Sequence, residues 1–220
     1  MWIPDKGDPM LTSALRQQLA LTTSSTIADV LDGHGLRGYM SAALKAIGPC
    51  KIVGEAVPVL KVPTAASVPD TPMHELLGGL PAGSVVVVGC SEPAECALWG
   101  GLMTVAAKQR GAVGAVVDGY VRDAQEVLAE EFWIFARGTS PGTSRGRLRT
   151  VRPEAGVTCG GILVNPGDII VGDTDGVAVI PRDLVQEVAA QALALDQRDR
   201  RVADLLRQGV SVPEAFRLRQ

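Results

Sequence analysis

Two apolar strands separated by one helix constrain the fold of this chain more than any other feature. The run SVVVVG (84–89) is short, apolar and bounded by turn residues, and AVGAVVD (112–118) has the same character. Between them, ALWGGLMTVAAKQR (97–110) has the apolar spacing of a helix. A strand, a helix and a strand at these distances predict a parallel, right-handed βαβ unit.

The flanking sequence predicts further strands and helices around this unit. GEAVPVLKV (54–62) alternates like a strand, and Pro58 within it favours a position at the edge of a sheet. From Val157 onward, short apolar runs alternate with tight Gly/Asp turns, which is typical of antiparallel hairpins. Helical spacing predicts three further helices, at 10–21, 26–32 and 182–208.

These elements predict an α/β fold with a parallel βαβ core, antiparallel hairpins and helices at both ends. No internal repeat, linker or low-complexity tract interrupts the chain. We therefore expect a single α/β domain over residues 1–220. Within it, 1–20 form an N-terminal helical extension and 182–220 form a C-terminal one.

Composition excludes several classes of function. The net charge of −3 argues against a general nucleic-acid binder, whose affinity comes mainly from Lys and Arg on phosphates. No apolar run of about eighteen residues predicts a membrane span, and the start of the chain lacks the apolar core of a signal peptide. Four cysteines without a C-x-x-C pair, and only two histidines, argue against zinc. Reduced cysteines favour the cytoplasm.

Glycines and charged residues meet at the predicted carboxyl end of the second strand. Ligands collect at this end of parallel strands, where Arg122 and Asp123 follow Asp118 in the sequence. Gly100 and Gly101 lie near the start of the intervening helix, on the same side of the sheet. They indicate either close packing or helix amides that approach an anion. The arginine and its neighbouring carboxylate could bind an anion and a divalent metal, or only form a salt bridge with each other.

These residues belong to a longer pattern. Gly101 and Arg122-Asp123 form G-x20-R-D, and Glu126 completes R-D-x-x-E. With ALWGG, AAKQRGAVGAVVDGYVRD, FARGTSP and PGDIIVGDTDGVAVIP, the chain resembles the 4-hydroxy-4-methyl-2-oxoglutarate aldolase family over roughly residues 20–210. That family is shared with the regulators of ribonuclease activity A and is often mislabelled as demethylmenaquinone methyltransferase.

The resemblance implies a swivelling β/β/α fold, assembled as homotrimers or homohexamers. It also implies a class II aldolase, a carbon–carbon lyase that releases pyruvate from small 4-hydroxy-2-oxo acids, often with oxaloacetate decarboxylase activity. By resemblance, Asp123 would anchor Mg²⁺ or Mn²⁺ and Arg122 would contact the pyruvyl group. The backbone around the Gly100–Gly101 pair, Leu102 and Met103 would bind the substrate carboxylate.

The chain also differs from the family at two places. The loop after the first strand of the βαβ unit usually contains D-G-G-G, whereas Gly89 stands here at the position of the Asp. Aldolase members carry a Glu in the C-terminal helix that reaches a neighbouring subunit's site, and the best-placed acidic residue here is Asp199. The alternative function is a non-catalytic regulator that binds a ribonuclease.

Four other residues have two interpretations each. Arg145, in a row with Arg147 and Arg149 on a predicted strand, would lie on a solvated or subunit-interface face, or contact an anion. His74, in a proline-rich loop with a short helix around it, is an ordinary loop histidine or flanks the substrate. Glu126 follows Arg122 by four residues and predicts a local salt bridge or a supporting contact. Asp118 is expected to support the site loop rather than bind metal.

Overall fold

The computed structural model describes residues 11–48, 51–65 and 71–217. The helices there are α1 Ser13–Ala20, α2 Ser24–Gly33, α3 Met73–Gly78, α4 Gly101–Gln109, α5 Ala124–Ala129, α6 Val185–Arg207 and α7 Val212–Arg217. The strands there are β1 Lys45–Ile47, β2 Ile52–Pro63, β3 Ser84–Cys90, β4 Ala97–Trp99, β5 Gly114–Val121, β6 Trp133–Thr139, β7 Leu148–Val151, β8 Val157–Cys159, β9 Ile162–Val164, β10 Ile169–Asp173 and β11 Gly176–Ile180.

One large mixed sheet organises the fold. Its strand order is β1-β6-β5-β3-β2-β10-β11, with β4 beside β5 and β7 beside β2. The central strands β6, β5, β3 and β2 run parallel, whereas β10 and β11 form an antiparallel hairpin. The predicted α/β class is confirmed, and β3, α4 and β5 form the expected parallel βαβ unit.

Strand β3 carries four consecutive valines because both of its faces are covered. Val86 and Val88 belong to one buried cluster, whereas Val85 and Val87 belong to another. All four side chains have no exposed surface. Successive side chains of a strand point to opposite faces, so a run of valines is what a parallel strand buried on both sides requires.

Strand β2 lies inside the sheet, so the edge position expected from Pro58 is wrong. β2 pairs with β3 along one side, where Pro58 is in register with Val87. On its other side, β10 pairs with residues 52–55 and β7 with residues 60–63. Pro58 lies in the interval between these two antiparallel partners. Its missing N–H therefore removes no ladder hydrogen bond.

The helices near the two ends of the chain pack onto the same hairpin. Leu19 of α1, Ile27 of α2 and Val188 of α6 are fully buried in one cluster with Ile169 of β10. The predicted C-terminal helix begins with a 3₁₀ turn, Arg182–Leu184, which leads into α6. Residues 1–10 and 218–220 of the predicted extensions lie outside the described ranges. The division into one domain with two extensions stays a prediction.

The structure corrects the prediction of a helix from residue 97. Residues 97–99 form β4, which pairs in parallel with the end of β5, and α4 begins only at Gly101. Leu98 is fully buried, whereas Leu102 and Val105 are exposed, so the three do not share a core-facing stripe. Pairing with β4 also carries β5 past Asp118 to Val121.

The three arginines at positions 145, 147 and 149 do not lie on one strand as predicted. β7 begins at Leu148, so Arg149 lies on that strand while Arg145 and Arg147 lie in the preceding turn. The three guanidinium groups therefore do not line one face of a strand.

The predictions about a membrane span and about the cysteines can be compared with the described residues. Within the described ranges, no helix is long and apolar enough to cross a membrane. Cys90, Cys96 and Cys159 are free thiols, and Cys50 lies outside the described residues.

Candidate functional site

Strand β4 brings the start of α4 against the end of β5. Trp99 is in register with Val121, and its carbonyl accepts a hydrogen bond from the Arg122 N–H at 3.0 Å. The indole of Trp99 is buried, donates from Nε1 to Thr104 Oγ1 at 2.8 Å and stacks on Phe132. β4 is therefore anchored by both its backbone and its largest side chain, which holds the residues on either side of it in place.

The two glycines let the segment after β5 approach α4 closely. Gly100 is the N-cap of α4 and Gly101 is its first residue. A Cβ on Gly100 would lie 3.0 Å from both Arg122 Cγ and Asp123 Oδ2, and a Cβ on Gly101 would lie 2.4 Å from Glu126 Oε2. Larger residues would push these side chains away, so the glycines are explained by close approach to the charged segment.

Asp123 has a backbone conformation that non-glycine residues seldom adopt. Its φ of 57° and ψ of 38° are left-handed, and it is the N-cap of α5. Its carboxylate does not cap its own helix. Oδ2 instead accepts from the Gly101 N–H at 3.2 Å and lies 3.4 Å from Arg122 Nε. Aspartate tolerates this conformation better than most residues, and such strain often accompanies function.

An open cavity of about 380 Å³ lies at this junction. Every residue predicted for the substrate site within one chain lines it: Gly100, Gly101, Leu102, Met103, Arg122 and Asp123. Its other lining residues are Met73, His74, Leu77, Ala97, Trp99, Ala106, Thr143, Ser144 and Arg145. Cavities of about 300–1,000 Å³ are typical of small-molecule sites.

The lining includes residues whose roles the sequence left open. His74 of α3 and Arg145 of the turn before β7 both line the cavity. The sequence could not show that these two residues lie near each other, because they are 71 positions apart and join the site only through tertiary contacts. Asp199 lies on α6, which contributes no lining residue to this cavity.

The loop after β3 lies at a different cavity. Cys90, Ser91 and Glu92 line a second cavity of about 360 Å³, together with Tyr120 and Arg137. The chain passes from one cavity to the other between Glu95 and Ala97. Burial raises the pKa of the Cys90 thiol, so this cysteine is a weak nucleophile at neutral pH.

Asp118 lines the second cavity and its carboxylate is already occupied. Oδ1 accepts from Arg137 Nε at 2.7 Å, and Oδ2 accepts from the Gly160 N–H at 2.8 Å. Asp118 thereby supports the turn between β8 and β9 rather than the loop around Arg122.

The salt bridge predicted between Arg122 and Glu126 is not among the ion pairs of the described residues, where Arg122 pairs with Asp123.

The acidic side chains at the first cavity could hold a metal ion only in an open site, where water or a ligand supplies most of the bonds to the metal. The described residues contain no cluster of three or more His, Cys, Asp or Glu side chains arranged for a metal. Asp123 is the only carboxylate lining the cavity within the described ranges, and Glu126 reaches Gly101 from α5. Mg²⁺ is commonly held by one or two carboxylates, with waters and ligand oxygens completing its shell. The donor set therefore fits a hard divalent cation and does not fit a closed structural zinc site.

Comparison with a family model gives a match across most of this chain. The model is described as RraA-like: Aldolase/RraA, and it matches residues 24–179. The matched range contains the whole first cavity, including Gly101, Arg122 and Asp123.

Two curated relatives align over most of the chain. Protein DlpA of Legionella pneumophila is 29% identical over 91% of this chain, which spans only 33% of the length of DlpA. A Halalkalibacterium halodurans protein named "Putative 4-hydroxy-4-methyl-2-oxoglutarate aldolase" is 29% identical over 85% of this chain and 88% of its own length.

A solved structure has the same fold. Streptomyces coelicolor RraAS2, described as an unusual member of the RNase ES inhibitor RraA protein family, superposes with a TM-score of 0.78. It is 28% identical, and the superposition covers 86% of this chain and 95% of that one.

Proposed function

This chain belongs to the RraA-like family (Aldolase/RraA), and from that membership we propose that it is a carbon–carbon lyase. Specifically, it is a divalent-metal-dependent, class II aldolase that cleaves a small 4-hydroxy-2-oxo acid to pyruvate. Oxaloacetate decarboxylation is a second reaction of the same site, because both reactions leave negative charge on a pyruvyl group. One observation carries the proposal: Arg122, Asp123 and the start of α4 meet at one open cavity.

The start of α4 supplies donors for the carboxylate of the substrate. The first N–H groups of a helix have no partner within the helix, and Gly100 has no side chain to cap them. Gly101 donates to Asp123, which leaves the amides of Leu102 and Met103 for a ligand. Helix amides and the helix dipole both favour a carboxylate at this position.

Arg122 would act where charge develops. Cleavage breaks the bond between C3 and C4 while the 4-hydroxyl loses its proton to a base and becomes the carbonyl of the leaving product. The electron pair of the broken bond moves into the pyruvyl carbonyl to give an enolate, and a proton delivered to C3 then gives pyruvate. The Arg122 side chain is 45% exposed and its guanidinium lies beside Asp123, so it can donate to the keto oxygen. A preorganised donor aimed at developing negative charge lowers the barrier, by about 3–4 kcal/mol in well-studied cases.

Asp123 would hold Mg²⁺ or Mn²⁺. Its carboxylate accepts one backbone hydrogen bond and remains 35% exposed in the side chain, so oxygen lone pairs are available to a ligand. When bound, the metal supplies a Lewis acid for the keto oxygen. The Gly101 N–H orients the carboxylate, and the left-handed backbone at Asp123 sets its direction.

We include a homo-oligomer, a trimer or hexamer, and a cytoplasmic location in the proposal. Leu102 is 85% exposed and Val105 is 48% exposed on the face of α4 beside the cavity. Covering this apolar pair with a second copy would remove it from water. Asp199 of a neighbouring subunit would then complete the site. The free thiols of Cys90, Cys96 and Cys159 are consistent with a reducing compartment.

Pyruvate release tests the proposed reaction. The purified protein is mixed with 4-hydroxy-4-methyl-2-oxoglutarate and Mg²⁺ or Mn²⁺, and pyruvate is followed with lactate dehydrogenase and NADH. We expect release that a chelator abolishes and that added metal restores. Release that is indifferent to chelator would overturn the role of the metal.

Mixed oligomers test the role of Asp199. Asp123→Asn and Asp199→Asn are each expected to inactivate a homogeneous oligomer. Reassembling the two variants together should restore a fraction of the activity, since some sites then receive both intact residues from different subunits. Failure to recover activity, in oligomers shown by mass to contain both variants, would contradict a shared site.

A regulator of a ribonuclease is the second candidate, favoured by the likeness to RraAS2. The assay for this function is co-purification with an RNase E-type ribonuclease and inhibition of its cleavage of RNA. Inhibition without pyruvate release from a panel of 2-oxo acids would replace the aldolase with the regulator.

A further inference from the structure

Two of the free thiols, Cys90 and Cys96, lie at either end of the loop that joins β3 to β4. Both strands pair in parallel with β5, and β6 pairs with the opposite edge of β5 beside both of them. β3 and β4 therefore lie one after the other along the same edge of β5. The loop leaves this row after Cys90 and returns to it at Cys96.

The strand register brings the two cysteines to one position. β3 is in register with β5 up to Val88, and two further steps bring Cys90 beside Gly119. β4 takes up the register at Ala97, and one step back brings Cys96 beside Gly119 as well. Two residues that reach one position from opposite directions lie side by side, about 5 Å apart at the spacing of neighbouring strands. A disulfide joins Cα atoms about 4.4–6.8 Å apart, so the two positions suit one.

Both cysteine side chains also face the same layer of the core. Cys90 packs against the buried cluster that contains Val88 and Leu98. Cys96 precedes Leu98 by two residues, which places these two side chains on the same face of an extended chain. Burial raises the pKa of the Cys90 thiol most, and the neighbouring Cys96 thiol raises it further, so the two sulfurs are close enough to interact.

The two thiols differ in their access to solvent. Cys90 lines the open second cavity of about 360 Å³, together with Ser91 and Tyr120. Cys96 is only 6% exposed and is not among the described residues that line this cavity. A small molecule in the cavity therefore meets Cys90 first, and Cys96 is placed to react with Cys90 from inside the protein.

We propose that Cys90 and Cys96 form a reversible disulfide, and that β4 transmits its formation to the first cavity. The Cys90 thiolate attacks one sulfur of a small disulfide such as glutathione disulfide, which gives a mixed disulfide and releases one thiol. The Cys96 thiolate then attacks the Cys90 sulfur, which forms the bond between the two cysteines and releases the second thiol. The protons of the two cysteines end on the two released thiols, and two electrons pass to the small disulfide.

Strand β4 is the physical link between this pair and the proposed substrate site. Cys96 immediately precedes β4, and Gly100, the N-cap of α4, immediately follows it. Drawing Cys96 toward Cys90 would displace β4 and, with it, the amides of Leu102 and Met103 at the start of α4. The reduced pair is therefore the state in which the first cavity is assembled as described.

Exchange at this pair is expected to be slow. Only the thiolate attacks a disulfide, and the raised pKa of Cys90 keeps the thiolate fraction small at neutral pH. The pair therefore responds to a lasting change in redox poise rather than to a brief pulse of oxidant.

Peptide mapping tests the bond directly. The reduced protein is incubated with reduced and oxidised glutathione in a series of ratios, remaining thiols are blocked with N-ethylmaleimide, and the chain is digested with a protease that cleaves after glutamate. Cleavage after Glu95 separates the two cysteines into different peptides, which stay joined only through a disulfide. The variants are Cys90→Ser, Cys96→Ser and, as the matched control, Cys159→Ala, which removes a buried thiol outside the pair.

We expect the joined peptides in oxidised wild type and in oxidised Cys159→Ala, and we expect a reductant to separate them. They should be absent from Cys90→Ser and Cys96→Ser. In oxidised wild type, the backbone amides of residues 97–103 should exchange with deuterium about twofold or more faster than in the reduced protein. In Cys96→Ser, the same amides should not respond to the glutathione ratio.

Wild type that stays reduced at every ratio, or that stops at a mixed disulfide with glutathione, would overturn the disulfide. A joined pair with unchanged exchange at residues 97–103 would overturn the coupling to the first cavity. Neither measurement uses pyruvate release. Failure of the aldolase assay therefore leaves the disulfide standing, and failure of the disulfide leaves the aldolase standing.

Discussion

Two aspartates near strand ends, Asp173 and Asp123, show how the same side chain supports either the fold or a site. Asp173 accepts hydrogen bonds from the backbone and hydroxyl of Ser24, from Lys51 Nζ and from the Asp175 N–H, and its side chain is 14% exposed. Asp123 accepts one backbone hydrogen bond, lies beside one arginine and is 35% exposed. A carboxylate with all its lone pairs occupied has nothing left for a ligand, whereas Asp123 has.

The backbone conformations of the two residues also differ. Asp173 closes the regular β10–β11 hairpin, where it is in register with Gly176. Asp123 has a left-handed backbone. Asp123, with a left-handed backbone and a partly unpaired carboxylate, lies on the cavity. Asp173, with a regular backbone and a fully paired carboxylate, joins α2 to the sheet. Four substitutions or conditions test whether this contrast separates function from stability.

The largest expected effect comes from Asp123→Asn. Pyruvate release should fall by about a thousandfold, because the neutral amide can neither hold a cation nor balance Arg122. Asparagine also tolerates a left-handed backbone, so the midpoint of thermal unfolding should stay near that of wild type. The coupled assay and a thermal melt measure the two quantities. An active variant would remove Asp123 from the chemistry.

Gly101→Ala should reduce kcat/KM by about ten- to a hundredfold, because small displacements of catalytic groups are costly. The new Cβ would lie 2.4 Å from Glu126 Oε2 and 3.4 Å from Asp123 Cβ, so the Glu126 carboxylate must move and the new methyl group packs against Asp123. Gly33→Ala is the matched control: it lies at the end of α2 with nothing within 4 Å of its Cβ. Wild-type rates in both variants would show that the close approach at Gly101 has no catalytic importance.

Asp173→Asn should lower the free energy of unfolding by about 1–3 kcal/mol, since buried donors lose a charged acceptor. Pyruvate release per folded molecule should be unchanged, because Asp173 does not line the first cavity. Denaturant titration and the coupled assay measure the two effects. A stable variant, or an inactive one that is fully folded, would erase the contrast with Asp123.

The smallest expected effect is the pH dependence of the stabilisation that the Asp173 carboxylate contributes. Burial by itself raises the pKa of Asp173, but hydrogen bonds from Ser24 and the charge of Lys51 outweigh burial and hold the pKa below its usual value. The stabilisation is therefore complete above the unfolded pKa of about 3.9 and is lost as pH falls through the lower folded pKa. The difference in unfolding free energy between wild type and Asp173→Asn should be constant near neutral pH and shrink under acid. A difference that grows under acid would contradict this linkage.

Local pattern predicted much of the fold. The valine run of β3 and the tight Gly/Asp turns after residue 157 specify strands by themselves, because burial on two faces and positive φ leave few alternatives. The spacing of G-x20-R-D also reflects one physical unit. It spans α4 and β5. Because β4, which leads into α4, runs parallel to β5, the chain returns along β5 to the side where α4 started.

Residues 97–99 show why local pattern was insufficient elsewhere. Their apolar spacing continues that of α4, so a helix was the natural expectation from the sequence. β5 offered them a free edge at Tyr120 and Val121, and a pocket above Gly119, where a Cβ would lie 2.5 Å from Leu98 Cδ1. Hydrogen bonds to a distant strand and burial of Leu98 and Trp99 outweighed helical propensity.

By itself, the sequence determined the parallel βαβ unit and the charged pair at its end, because periodicity and residue type act over a few neighbours. Only the tertiary structure decided that β4 separates two cavities, that Asp118 supports a hairpin, and that Arg145 and His74 border the site. Those outcomes depend on contacts between residues far apart in the chain, whose free energies are not written in any local pattern.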